Sequence, residues 1–414
     1  MDGEGCPTLL SSLHIFIAET PMTQTYPMDP LQAVTHPNPY PYYAELRRNA
    51  PLSRNDTLNL WVAARAETVR TVLGDERLTV RPANEPVPRT IAGQPAGEVF
   101  SRLARMNEGN DHRAARQALI KGLSVVDTES VFRSARAHAA TLIGHSGAMN
   151  DEVLAALAFA LPVRIVAELI GLPADDSLEA TVRRFIACLS PASSIEALRD
   201  AHEAALQLQA GLHALTQDRS RMPALIDRMV SGGLDASAAV PNVLVSNLLG
   251  MFSQTFDATA GLIGNSIVTL ARHADVTERL LDAPSDIHAF VHELARFDPA
   301  VHNTRRFVRE MVCIEGVALQ PGDAVLVVLA AASRDESVSA SADHFSPDRE
   351  QVQLLTFGSG RHACPGETIA RAITAGVVAG LVASGFDFAD PALHWTYRPS
   401  ANVRIPAFTF MDAA

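Results

Sequence analysis

The chain has 414 residues, 47% of them hydrophobic and 19% charged, with a formal net charge of −12. That length and apolar content can bury one large core or two ordinary ones, and they exclude disorder as the main state. The acidic balance argues against nucleic acid or an anionic membrane as the chief partner.

Taken in chain order, Leu9–Ala18 is too short to span a bilayer, and Asp2 and Glu4 stand where a signal peptide carries positive charge. Met22 opens a stretch that reads like an ordinary N-terminus, so residues 1–21 read as an over-long start or a floppy extension, and residues 1–35 together are expected to be an N-terminal extension. Tyr40–Asn49 reads as a short amphipathic helix, Leu58–Ala63 as a strand, and Glu67–Leu73 as another helix. Arg81–Gly97, with Pro82, Pro86, Pro88 and Pro95, is a long proline-rich connection of the kind that more often serves a function than not. Residues 111–231 read as several helices, broken near Gly144–Ala148, Gly171–Pro173 and Ser190–Ser194. Val317–Leu319, Pro321-Gly322 and Ala324–Ala331 read as a hairpin. A last helix covers Glu367–Ser384, and strand-like alternation follows through Phe408. No Gly/Ser-rich or charged linker divides the chain, so residues 36–414 are expected to form one domain.

Four cysteines, Cys6, Cys188, Cys313 and Cys364, lie far apart without a Cys-x-x-Cys pair, which fits a reducing cytoplasmic setting. The basic residues are arginines apart from Lys121, which leaves Schiff-base chemistry to that single side chain. Residues 357–366 read Phe-Gly-Ser-Gly-Arg-His-Ala-Cys-Pro-Gly. Gly358, Gly360 and Gly366 let the backbone turn tightly and approach a flat ligand. Pro365 can open a helix just after Cys364, and a helix N-terminus stabilises an anionic sulfur. A lone thiolate in such a loop suits the axial position of haem iron, where it favours O–O cleavage. Taken alone, Cys364 could equally be a buried structural residue in a loop-to-helix turn.

The whole ten-residue run resembles the signature of the cytochrome P450 family, Phe-Gly-x-Gly-x-His-x-Cys-x-Gly, and the likeness extends over about residues 36–410. The resemblance implies a mainly α fold with a smaller β region (α+β), in which a long central helix passes over the haem. It implies haem b as cofactor, Cys364 as the iron ligand, and Phe357, Gly358 and Gly366 as its supporting loop. A second motif of the family appears as Glu293-Leu-Ala-Arg296, with Arg349 as third member, and its implied role is structural. His112 and Arg116 (an i, i+4 pair), Arg306 and His362 fall where the family binds the haem propionates, which need charged donors when buried.

From Pro241 to Ala271 the only charged residue is Asp257, the mark of a central helix buried nearly all round. Gly250, Gln254, Asp257, Ala258 and Gly261 share one face of it. A lone acid there is either an ion-paired core residue or a proton relay beside the iron. The family carries Ala-Gly-x-(Asp/Glu)-Thr at this place, and here the residues are Gln254-Thr255-Phe256-Asp257-Ala258. The acid is kept and the oxygen-activating threonine is replaced by Ala258. Thr259 follows, but it points about 100° away around the helix. A substrate hydroxyl, ordered water, Gln254 or Thr255 is then left to deliver protons.

The resemblance also places His302, Asn303, Ala401 and Asn402 at the substrate, beneath a roof from residues 81–107 and 185–195. No flavin or nicotinamide fingerprint follows a strand, so electrons are expected from a ferredoxin and its reductase, with Arg113 and Arg361 on the docking face. The expected protein is a monomeric cytoplasmic monooxygenase that hydroxylates or epoxidises a small molecule of bacterial secondary metabolism. Oxidative coupling or cyclisation, a peroxide-driven reaction, and a non-enzymatic haem sensor stay open.

Overall fold

The apolar run that begins at Pro241 forms one helix of 32 residues, Pro241–Arg272, and the rest of the helical core is arranged around it. Two buried amides pin it at either end of its middle stretch. Asn247 donates to Arg102 O and accepts from the Ala104 N–H, and Asn265 donates to the carbonyls of Asp298 and Pro299. Each pairing satisfies polar groups that would otherwise be buried unbonded. The last helix, Glu367–Ala383, packs on the central one and on Thr128–Ser146. Close approach to the latter needs Gly376, where a Cβ would lie 2.5 Å from Phe132 O. The computed structural model describes residues 26–190, 193–217, 222–233, 241–350 and 352–411. Residues 1–25, with Cys6, and part of the Ser190–Ser194 break lie outside them.

Helices at Tyr40–Asn49, Ala66–Gly74 and Glu367–Ala383 fall where the pattern predicts them. Gly147 (φ 69) and Gly171 (φ 76) end their helices in the left-handed conformation that glycine adopts without strain. One helical run, Asp151–Ile170, is long and apolar enough by length and composition to cross a bilayer, but 67% of that apolar window is buried inside the protein. It includes a π-turn at Ala156–Ala160 that packs on the central helix.

Nine strands are present among the described residues: β1 (Leu52–Asn55), β2 (Leu60–Ala63), β3 (Leu78–Thr79), β4 (Thr304–Val308), β5 (Val312–Ile314), β6 (Val317–Leu319), β7 (Ala324–Val327), β8 (Leu393–Tyr397) and β9 (Pro406–Phe410). The main sheet runs β1-β2-β7-β4-β3, and β8 pairs with β9. The expected hairpin is displaced. β6 pairs with β5 through a tight turn at Glu315 and Gly316, both at positive φ, while β7 joins β2 and β4 in the main sheet. Two left-handed residues suit a two-residue hairpin loop better than Pro321-Gly322 does. β7 ends at Val327, and Leu329–Ser333 turns into helix.

Residues before 36 also pack against the domain. Ala33 and Val34 are fully buried, and the buried Arg404 donates to the carbonyls of Val34, His36 and Pro37. The proline-rich segment is likewise fixed, with Ile91 buried and Arg81 donating to Glu85 O and Pro86 O.

Candidate active site

The 357–366 segment leaves a short 3-10 turn at Leu355–Phe357 and reverses through Gly358 (φ 76) and Gly360 (φ 67). Cys364 N–H then donates to Phe357 O at 2.7 Å, closing the loop, and Gly366 caps the last helix. Cys364 lies deep enough that burial is the largest influence on its thiol and raises its pKa, outweighing the Gly366 N–H, Arg105 and Arg116. Its own surface is nevertheless exposed, so the sulfur lines an internal cleft. The helix N-terminus alone does not offset that burial. A coordinated metal would, since it deprotonates a bound thiol outright.

The four predicted propionate residues come together around this loop. The His112 and His362 rings lie tilted against each other with centroids 4.1 Å apart, Arg116 donates to Ala363 O at 2.6 Å, and Arg306 lies within electrostatic reach of Arg361, Glu108 and Arg105. Burial and the neighbouring His362 hold His112 down to about 4, so it is neutral near pH 7. Burial also brings Arg306 down to about 10, and its Nε is sealed from solvent without a partner. Arg105, which motif reading misses, is enclosed like Cys364, with burial lowering its pKa, yet exposes its guanidinium to a cleft. An isolated arginine carries no motif, and its position one helical turn ahead of Gly109–Leu123 is the only trace in the sequence. Partly unpaired cationic donors beside a deep cysteine match a macrocycle carrying two carboxylates, so the residues fit haem.

Arg361 departs from its expected docking role. It donates to Glu108, Gly74 O, Asp75 O and Leu78 O, which leaves it holding the fold rather than facing a partner. Arg113 is exposed and bonds Asn110.

On the central helix, Gln254 is exposed between buried Ser253 and half-buried Thr255, and Ala258 one turn on is half-buried. Such openings within a core helix mark the wall of a cleft. The Gln254 amide folds back to Gly250 O at 2.8 Å, a space that a side chain on residue 250 would fill. Thr259 is 1% exposed and turned into the core. Burial raises the Asp257 carboxyl, and Arg398 and Arg183 offset this only in part. Both arginines lie over the Phe159 ring, at 4.7 and 5.5 Å. The lone acid thus has cationic neighbours that sequence spacing does not reveal.

The expected substrate residues divide. Segments 300–303 and 401–404 zip together through Arg404 N–H to Ala300 O, His302 N–H to Asn402 O, a Val301–Val403 bridge, and Asn303 Nδ2 to Ala401 O. Strand alternation turns Val301 and Val403 to one side and His302 and Arg404 to the other. His302 is fully buried, with Nδ1 2.8 Å from the Tyr43 hydroxyl, so it packs under the Tyr40–Asn49 helix instead of lining a ligand space. Asn303 is buried too, with its amide spent on backbone, whereas Ala401 and Asn402 are exposed. Tyr43→Phe should therefore lower stability by about 1–3 kcal/mol, the cost of an unpaired buried group, and leave the visible spectrum unchanged. Urea denaturation with a parallel spectrum checks this.

Below the loop, Glu293 receives Arg296 at 2.7 and 2.9 Å and Arg349 at 3.2 Å, with Glu293 1% and Arg296 0% exposed. Arg296 also donates to Ala342 O, and Ser346 N–H donates to Glu293.

Comparison with known proteins agrees with this arrangement. The family model described as Cytochrome P450 matches residues 272–384. Mycinamicin IV hydroxylase/epoxidase of Micromonospora griseorubida is 29% identical over 339 residues, covering 80% of this chain and 83% of that protein. The 20-oxo-5-O-mycaminosyltylactone 23-monooxygenase of Streptomyces fradiae is 25% identical over 363 residues, covering 85% and 81%. The crystal structure of CalO2 superposes with a TM-score of 0.80 at 25% identity, covering 94% of this chain and 100% of that one. These relatives and this architecture support a bacterial cytochrome P450, an oxidoreductase of the monooxygenase type with a cysteine-ligated haem b.

Proposed function

We propose that this enzyme hydroxylates or epoxidises a discrete small molecule of secondary metabolism, and that the substrate or an ordered water completes proton delivery. Haem b supplies the oxygen-activating chemistry when bound. Cys364 would hold its iron through the thiolate, with Phe357, Gly358 and Gly366 shaping the loop. Arg105, Arg116, Arg306, His112 and His362 receive its carboxylates. The relatives named above, a hydroxylase/epoxidase and a monooxygenase, support insertion of oxygen over coupling or cyclisation. Electrons reach the enzyme from a ferredoxin and its reductase.

The observation that carries the proton-delivery reading is the missing hydroxyl. Ala258 offers no O–H, Thr259 is buried, and one of the two Gln254 amide N–H groups is committed to Gly250 O, while the half-buried Thr255 hydroxyl does not stand at the family's threonine position. Asp257, held above the ordinary carboxyl range by burial, can carry a proton on its carboxyl oxygen, with Arg183 and Arg398 returning it to the anion. Between that acid and the reacting oxygen the chain supplies no hydroxyl at the customary place, so a hydroxyl-bearing substrate or water bridges the gap.

Ala258→Thr tests this. Turnover is expected to fall several-fold or stay level, with no gain in product formed per NADH oxidised, because the new side chain displaces the bridging group. A clear rise in both rate and coupling would overturn the reading.

A further inference from the structure

An acid stands among the cations of the haem cradle. Glu108 precedes the Gly109–Leu123 helix in extended conformation (φ −128, ψ 172). Its Oε1 accepts from the Val80 N–H at 3.0 Å, and its Oε2 accepts from Arg361 Nε at 3.0 Å and from His362 Nε2 at 3.1 Å. A carboxylate only accepts, so it makes Nε2 the donor nitrogen of His362. Glu108 is not needed to anchor Arg361, whose two terminal nitrogens already donate to Gly74 O, Asp75 O and Leu78 O. What Glu108 adds is charge, placed where two haem carboxylates also compete for donors. That is costly unless it serves the centre, and Arg306 feels the same carboxylate. Burial would raise its carboxyl, but hydrogen bonds from His362 and Arg361 and the Arg361 guanidinium charge outweigh it and hold the pKa down to about 2, so the charge persists at working pH.

We propose that Glu108 is a positioning residue of the haem-thiolate centre: its carboxylate orients the His362 ring and provides a fixed negative charge that favours oxidised iron. The proposal rests on the haem-thiolate reading of Cys364. It acts through His362 and the electrostatic field, and Glu108 touches no substrate.

The test compares wild-type holoenzyme with Glu108→Gln and Glu108→Asp. Gln keeps an oxygen for the Val80 N–H and a similar shape but removes the charge. Reduction potential, the spectrum of the reduced CO complex and the thermal midpoint are read on all three. Glu108→Gln should favour the reduced iron by about tenfold, about 59 mV for a one-electron couple. Glu108→Asp should return most of that shift, and all three CO spectra should keep the thiolate-type Soret band. An unchanged potential in Glu108→Gln with only a lowered thermal midpoint would reduce Glu108 to a structural residue and overturn the proposal. If Glu108→Gln does not retain haem, titration of haem into the apo-proteins decides. Weakened binding rescued by Asp supports the role of charge, and equal loss in both variants refutes it. A wild-type CO spectrum of histidine type would instead defeat the Cys364 reading itself, a separate failure.

Discussion

Cys364→Ser is expected to abolish turnover and to remove the strongly red-shifted Soret band of the reduced CO complex, while Cys188→Ser and Cys313→Ser change neither. The contrast follows from where each sulfur sits. Cys188 is buried in the helical core, and burial pushes its thiol up to about 12, so it is inert. Cys313 lies at the centre of β5, exposed on a two-stranded hairpin. Among the described cysteines, only Cys364 combines a glycine loop, an enclosed position and an open surface with arginines close enough to bias its charge. Serine preserves the fold because the contact that closes the loop, Cys364 N–H to Phe357 O, is made by backbone. A serine hydroxyl does not supply the electron-rich ligand that thiolate does. Retention of the red-shifted band in Cys364→Ser would mean that another residue ligates the iron.

Glu293→Gln is expected to be the most destabilising single change outside the ligand, about 3–5 kcal/mol, measured as a lowered urea midpoint and poor recovery of folded protein. A domain is stable by only about 5–15 kcal/mol, so this is a large share. The carboxylate is the shared acceptor of Arg296 and Arg349 and of the Ser346 N–H. Without its charge, Arg296 stays fully buried as an uncompensated cation, held by the carbonyls of Ser333, Ala342 and His344. Arg296→Met combined with Glu293→Leu should cost less than Glu293→Gln alone, because removing both charges removes the desolvation penalty with them. A double variant as unstable as the single one would show that packing, not charge balance, governs this site.

Much of the site was legible because its chemistry is written in short spacings. The cysteine loop, the His-x-x-x-Arg pair and the Glu-x-x-Arg pair are contiguous segments whose members fold onto one loop or one helix face. Residues brought in from afar were not legible. Glu108 reaches residues 361 and 362, and Arg183 and Arg398 approach Asp257 from two other elements, so neither grouping leaves a local pattern. His302 failed for a different reason: neighbouring residues on an extended segment face opposite ways, and a motif identifies the segment without fixing its phase. The displaced hairpin turned on Glu315 adopting a positive φ, which an acidic residue does rarely enough that Pro321-Gly322 looked the better turn.

The contact between the central helix and the 401–406 turn limits how this enzyme can diversify. A Cβ on Gly261 would fall 2.5 Å from Arg404 O, and one on Gly264 would fall 2.7 Å from Pro406 Cδ. A methyl group on Gly261 would press on Ala300 as well as on Arg404 O, and one on Gly264 on the Pro406 ring, so either would force the helix away from the zipped segments. Positions 261 and 264 are thereby closed to any larger residue for as long as the zipped segments keep their pairing.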